Sequence, residues 1–334
     1  MRSITLSAPS RLHFGLFSVG QQVEWEYGGI GLMVQSPRTT VQVNHAATLT
    51  IRGSSADVCR VAIHNWFIAQ RTDIVSSPLV PPTIDSIDDL PIEIIIQSQA
   101  PRHCGLGSGT QLALCVAVAI AKYLEVPLPG PVELATTVGR GKRSAIGSYG
   151  FFEGGFLVDR GKSPADLIAP LDFRTDFPTQ WPVLIAIQRD CAGMSGSMES
   201  AAFGQLPDST IVQREYLIEL VRDQIIPGVL TCDYDQFAKA VYQFGRTSGM
   251  YFQSVQGGPY NGAAVSDLVT SIREFGLPAV GQTSWGPAVF AIAANSDHAD
   301  EVSKQINTRF GEKFEIIITQ ADNQGVRVTA ESTS

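Results

Sequence analysis

Pro101-Arg-His-Cys-Gly105-Leu-Gly-Ser-Gly-Thr110-Gln-Leu112 follows a β-branched run, Ile92 to Gln97 (IEIIIQ), and precedes an apolar run that ends at Leu124. The order is strand, glycine-rich loop, helix. The run Ile92 to Gln97 predicts a strand buried on both faces. Residues from Thr110 to Tyr123 predict a helix apolar all round, hence a core helix. Its one charge, Lys122, sits near the C-terminal end, where the helix macrodipole favours a cation.

The loop itself, Gly105-Leu106-Gly107-Ser108-Gly109-Thr110, points to an anion site. Backbone N–H groups converge on an anion only where no Cβ blocks the approach, and glycine removes that obstacle. The helix start adds unpaired N–H groups and about half a positive charge. No Asp or Glu stands in that first turn, so the end is left for a ligand anion, most naturally a phosphate or pyrophosphate. Arg102, within the same loop, joins the phosphate-binding candidates. A tight turn capped by Ser108 or Thr110 is the plainer alternative. The spacing is neither a Walker A loop nor a dinucleotide fingerprint.

Three further stretches carry chemistry. Arg140-Gly-Lys142-Arg143, with Arg160 and Lys162 downstream, places cations among glycines and suggests a second anion contact, although a solvated charged face reads the same way. Glu153 and Asp159 lie between these cations. They are candidate Mg²⁺ ligands beside a polyphosphate, or ordinary ion-pair partners of Arg160, Arg140 or Arg143. Pro9-Ser-Arg11-Leu-His13-Phe ends the first strand. Alternation puts Arg11 and His13 on one face and Leu12 and Phe14 on the core side. Gly281-Gln-Thr283-Ser284-Trp-Gly-Pro287 offers Thr283 and Ser284 as a second phosphate clamp, or a simple turn.

Residues 130–138 read as helical, and 139–161 as a glycine-dense loop region with a strand at 155–159. A Pro-bounded stretch from Pro164 to Pro182 is the best boundary, giving domains 1–175 and 176–334. Beyond it, strands and helices alternate: 183–187, 288–293 and 314–319 as strands; 211–225, 234–248, 262–274 and 299–310 as helices. The fold class is α+β.

Composition sets the outer limits. The 334 residues are 44% hydrophobic and 17% charged, which excludes a disordered chain. A formal charge of -8 argues against general nucleic-acid binding. The 24 basic residues divide into 18 Arg and 6 Lys, and Arg is the better fork for phosphates and carboxylates. No apolar run reaches the roughly 20 residues of a membrane span, and the N-terminus lacks a signal-peptide pattern. Cys59, Cys104, Cys115, Cys191 and Cys232 have no disulfide or zinc spacing. These features predict a cytoplasmic protein; a homodimer is left open.

Together and in this order, the motifs resemble the GHMP kinase superfamily (galactokinase, homoserine kinase, mevalonate kinase). Pro101 to Gly109 looks like that family's central phosphate loop, and Gly281 to Gly286 lies where its C-terminal glycine motif would. The resemblance implies a ribosomal-protein-S5-like N-terminal domain and a ferredoxin-like C-terminal domain, with the site between. Ser10 to Leu16, Gly28 to Leu32, Gly105 to Leu112, Arg140 to Gly147 and Gly154 to Asp159 are similar to a non-kinase branch, the β-ribofuranosylaminobenzene 5'-phosphate synthases. That branch implies a phosphoribosyltransferase of methanopterin biosynthesis. Its substrates would be phosphoribosyl pyrophosphate and 4-aminobenzoate or 4-hydroxybenzoate; pyrophosphate and CO₂ would leave, with Mg²⁺ as cofactor. Arg11, His13 and Arg143 are then the catalytic candidates. The loop, Arg140 and Lys142 bind phosphate, and Glu153 and Asp159 hold the metal. The stretch Ser144-Ala-Ile-Gly-Ser148 lacks the aspartate that many of the kinases carry there. An ATP-dependent small-molecule kinase and a non-catalytic ligand sensor on the same fold are the alternatives.

Overall fold

A computed structural model describes residues 2–20, 24–81, 83–189 and 201–332. Cys191 lies outside them. Among the described residues eleven strands form two sheets. The first contains β1 (Arg2–Leu16), β2 (Gly29–His45), β3 (Thr50–Arg52), β4 (Ile92–Ser98), β5 (Phe156–Asp159), β6 (Leu171–Thr175) and β11 (Arg327–Ser332). Its main path runs β11-β1-β2-β4-β3, and β5 joins β2 to β6. The second sheet has β7 (Val183–Gln188), β8 (Ala279–Gln282), β9 (Val289–Ile292) and β10 (Phe314–Thr319) in the order β10-β7-β9-β8, all antiparallel.

β6, which ends at Thr175, pairs with β5 in the first sheet. One observation qualifies the expected domain layout. The last strand, β11, pairs with β1 from Arg2↔Ser332 to Ser7↔Arg327, so the chain returns to the first sheet at its end.

The glycine-rich loop opens the helix Ser108–Leu124 (labelled α2 here, after α1, Ala56–Ala69). From Leu112 to Ala121 every side chain of α2 is at most 2% exposed, as the uniformly apolar sequence required. It packs against β1 and β2, and Cys59, Ile63 and Trp66 of α1 share its core cluster.

β7 shows why the inner strands of the second sheet are mostly apolar. Val183, Ile185 and Ile187 face one core, while Leu184 and Ala186 face another. The first core is continuous with β1: Phe14 stacks on Phe290 of β9 at 4.4 Å between ring centroids. Its helical side includes α4 (Tyr234–Gly249), which contributes Phe237, Val241 and Phe244. The second core is closed by α5 (Gly262–Glu274) and α6 (Ser296–Phe310). Both faces of β7 are covered, so alternation of polar and apolar residues would be the wrong pattern there.

The glycine-dense stretch was expected to be mostly loop. It contains instead α3, Ile146–Glu153. Its glycines serve close packing: a Cβ at Gly150 would meet Met33 Sδ at 2.4 Å. Cys59, Cys115 and Cys232 are free thiols. Among the described residues no helix is long and apolar enough to cross a membrane.

Candidate active site

The glycine-rich loop, the end of β1, the 139–144 turn and the 282–286 turn meet at one cleft between the two sheets. It has two lobes, of about 320 and 310 Å³. The first is lined by Gly105 to Thr110, Arg102 and His103. The second is lined by His13, Arg140 to Ser144, Phe203, Phe252 and Gln282. Arg11, Thr110, Arg140, Ser284 and Trp285 line both, so the lobes share a wall.

The loop has the geometry that an anion cradle needs. Gly105 and Gly107 sit at φ +84° and +72°, in the left-handed region that favours glycine. Gly107 is the N-cap of α2, no side chain caps the helix, and no acidic residue stands in its first turn. The first N–H groups of α2 therefore lack side-chain acceptors. A Cβ at Gly105 would stand 2.1 Å from the Thr283 carbonyl oxygen, which shows how tightly the 283 turn holds the loop.

Arg11 spans this junction. Its backbone N–H donates to the Leu106 carbonyl at 3.0 Å, and Nη2 donates to the Gly105 carbonyl at 3.3 Å. Arg140 lies against the opposite side: a Cβ at Gly109 would be 3.5 Å from its Nη2. Arg140 makes no ion pair among the described residues, and burial lowers its guanidinium pKa. The Arg143 guanidinium lies 4.1 Å from the Phe203 ring centroid. Phe203 in turn packs edge-on against Trp285 and Phe252.

Among the described residues no Asp or Glu lines either lobe. Five cations, Arg11, Arg102, Arg140, Lys142 and Arg143, do. In a chain of net charge -8 this is a strongly uneven distribution, and it suits a polyanionic ligand.

The structure brings Arg11, Arg140, Lys142, Arg143, Ser284 and the 105–110 loop together at the cleft; Leu106 is there through its backbone, its side chain being fully buried. Other candidates sit differently. Arg102 lies at the rim in an exposed ion pair with Asp57. Thr283 is fully buried and lines neither lobe; its Oγ1 accepts from the His13 N–H at 2.9 Å and donates to the Gly105 carbonyl at 2.8 Å. It is a latch rather than a phosphate clamp. His13 is not on a polar open face: a bulge between His13 and Gly15 turns β1 there, and the residue is 3% exposed.

Neither metal candidate is placed as one. Glu153 is exposed at the end of α3 and lines neither lobe. Asp159 is fully buried, and its carboxylate accepts from Ser144 Oγ at 2.9 Å and from the N–H groups of Ala145 and Gly161 at 2.9 and 3.3 Å. With these donors satisfied, it has no face for a cation. Among the described residues no three His, Cys, Asp or Glu side chains gather as a metal site. The described residues do not fit a protein-held Mg²⁺.

Sequence reading also missed Ser144, which sits in the second lobe wall and joins two expected residues. His13 Nε2 is 3.1 Å from Ser144 Oγ, and Ser144 Oγ donates to Asp159. Burial pushes the Asp159 carboxyl up to about 6 against those hydrogen bonds. Burial, then the nearby Arg11 charge, holds His13 well below the ordinary imidazole value.

Family models for the GHMP kinase N-terminal domain and the GHMP kinase C-terminal domain match residues 80–154 and 225–313. The chain belongs to the GHMP kinase superfamily. The beta-ribofuranosylphenol 5'-phosphate synthase of Methanothermobacter thermautotrophicus is 27% identical over 302 residues, 86% of this chain and 88% of the relative. That of Archaeoglobus fulgidus is 26% identical over 340 residues, 97% of this chain and 99% of the relative. Homoserine kinase from Cytophaga hutchinsonii superposes with a TM-score of 0.63 at 16% identity, covering 98% of this chain and 97% of its own; that likeness shows the fold alone. The expected α+β superfamily fold is thus found. Among its relatives the chain groups with enzymes of the synthase branch.

Proposed function

We propose that this superfamily member is a phosphoribosyltransferase of methanopterin biosynthesis. It would condense phosphoribosyl pyrophosphate with 4-hydroxybenzoate or 4-aminobenzoate and release pyrophosphate and CO₂. The observation that carries the reading is the cleft between the two sheets: cation-lined, free of carboxylates among the described residues, and opened by an uncapped helix start. The names of the relatives put a phenol, a ribose and a 5'-phosphate in their product, which favours the hydroxybenzoate.

Cleavage of the ribose C1–O bond sends its electron pair out with pyrophosphate and leaves an oxocarbenium-like carbon. Charge therefore develops on the leaving group. The α2 N–H groups and Arg140 are fixed where they meet it, and a well-placed donor in such a site lowers a barrier by roughly 3–4 kcal/mol. Arg11 and Lys142 hold the remaining anionic oxygens. The aromatic ring occupies the second lobe against Phe203 and Trp285, beneath Arg143. The ring carbon that bears the carboxylate attacks C1, and the electron pair of the departing C–CO₂ bond restores aromaticity. No step is routed through a metal ion.

Purified protein given phosphoribosyl pyrophosphate and carboxyl-labelled 4-hydroxybenzoate is expected to release labelled CO₂ and pyrophosphate in equal amounts. Folded protein that releases neither, with either benzoate, overturns the proposal. Consumption of ATP with an alcohol acceptor would select the kinase reading instead.

A further inference from the structure

His13, Ser144 and Asp159 form a buried chain that ends at the cleft wall, and the reaction as described leaves it unused. Hydrogen-bond bookkeeping fixes its direction. Ser144 has a single hydroxyl proton and gives it to Asp159 Oδ2. Ser144 Oγ can then only accept from His13 Nε2, 3.1 Å away. A neutral imidazole carries one N–H. With that proton on Nε2, the only lone pair of the ring is on Nδ1.

We propose that His13 is the proton acceptor for the para hydroxyl of the aromatic substrate, and that Ser144 and Asp159 are positioning residues that lock its Nε2–H tautomer. This rests on the synthase reading. The hydroxyl proton passes to Nδ1 as the ring carbon attacks ribose C1 and pyrophosphate leaves. The resulting imidazolium is held at Nε2–H by Ser144, whose hydroxyl keeps its proton and its hydrogen bond to the Asp159 carboxylate. After CO₂ departs, the proton returns from Nδ1 to the phenolate oxygen of the product. Burial and Arg11 keep His13 neutral, the form that can accept a proton. Substrate anions pairing with Arg11 remove that opposing charge just when the imidazolium forms. Protonating Asp159 reverses the chain: Asp159 donates to Ser144, Ser144 donates to Nε2, and the proton of His13 moves to Nδ1. Among the described residues the other titratable groups around the relay are Arg11 on β1, beside His13, Tyr149 on α3, near Asp159, and Lys142 and Arg143 in the lobe wall next to Ser144.

The tautomer is read by nitrogen NMR on histidine-labelled wild-type protein at pH 7.5, without substrate. The His13 signals are identified as those missing from a His13→Gln variant. An Nε2–H signature is expected, and an Nδ1–H signature overturns the inference whether or not the synthase assay succeeds. In that assay the wild-type kcat is expected to fall on the acid side with a midpoint near 6, the value to which Asp159 is raised. Ser144→Ala should lower kcat roughly 10- to 100-fold at unchanged KM for 4-hydroxybenzoate and abolish the acid limb, and Ser144→Thr should restore both. Undiminished kcat in Ser144→Ala, or an acid limb that persists in it, overturns the relay. If Ser144→Ala does not fold, Asp159→Asn is read the same way and the wild-type tautomer still decides.

Discussion

Arg140 separates a functional cation from a structural one. It lies beside Gly109 at the wall that the lobes share, and it has no ion-pair partner among the described residues. The substitution to make is Arg140→Met, which keeps an unbranched apolar stem and removes the charge. A charge-assisted hydrogen bond is worth about 1.5–3 kcal/mol, and about 1.4 kcal/mol is a factor of ten. The KM for phosphoribosyl pyrophosphate should therefore rise roughly 10- to 150-fold, with a further fall in kcat if Arg140 meets charge that develops only on the leaving group. Stability should move the other way or not at all. Burial disfavours the charged guanidinium, and no partner charge is left uncompensated by its loss. The assays are pyrophosphate release against substrate concentration and thermal unfolding of the ligand-free protein. A variant that unfolds several degrees lower yet keeps its KM would show Arg140 to be structural and would refute the assignment of the shared wall to the pyrophosphate.

Gly105→Ala forces a Cβ to within 2.1 Å of the Thr283 carbonyl at φ +84°. The left-handed conformation alone costs about 1–2 kcal/mol. A chain of 334 residues melts with an entropy near 0.7 kcal/mol/K, so a 2 kcal/mol loss lowers Tm by about 3 °C; an unchanged Tm in calorimetry would contradict the close approach. Glu153→Gln should leave pyrophosphate release and its Mg²⁺ dependence unchanged, because Glu153 is exposed outside the cleft; a tenfold rise in the Mg²⁺ requirement would restore it as a ligand. Asp159 predicts a stability profile as well. Its folded pKa, about 6 against an ordinary 3.8, favours the protonated form in the folded state. That contribution is complete below about pH 4 and is lost as pH rises through 6. Relative to Asp159→Asn, wild-type stability should fall by up to about 3 kcal/mol across that window. Paired denaturation curves at pH 4 and pH 7 that show no such change would refute the raised value.

The parts that were legible in the sequence are those whose signal is local. The core helix α2 announces itself by a run without charge, and its anion-binding start by glycines and the absence of acidic residues. The helix α3 was hidden because Gly147 and Gly150 argue locally for a loop, whereas packing decides: Ile146 and Phe151 are fully buried, and Gly150 is small because Met33 presses on it. The return of β11 to β1 was equally hidden, since most of β11 is exposed and its partner lies more than 300 residues away in sequence.

The roles of the charged residues were least legible, for a physical reason. A carboxylate near arginines in sequence can hold a metal, pair with a cation or accept buried N–H groups, and only the fold selects among these. Here the selection is consistent across the cleft. Asp57 pairs with Arg102 at the rim, Asp172 pairs with Arg160, and Asp159 is turned inward onto Ser144 and the N–H groups of Ala145 and Gly161. These three acids are thus engaged away from the two lobes, and Arg140 and Lys142 have no carboxylate partner among the described residues. An excess of acid over the whole chain therefore does not cancel the field inside the cleft. Placing a carboxylate there should weaken phosphoribosyl pyrophosphate binding more than removing any single cation, because it both cancels a charge and occupies a donor. Ser284→Asp, which substitutes at the shared wall without touching the loop, is the variant in which that difference would be measured.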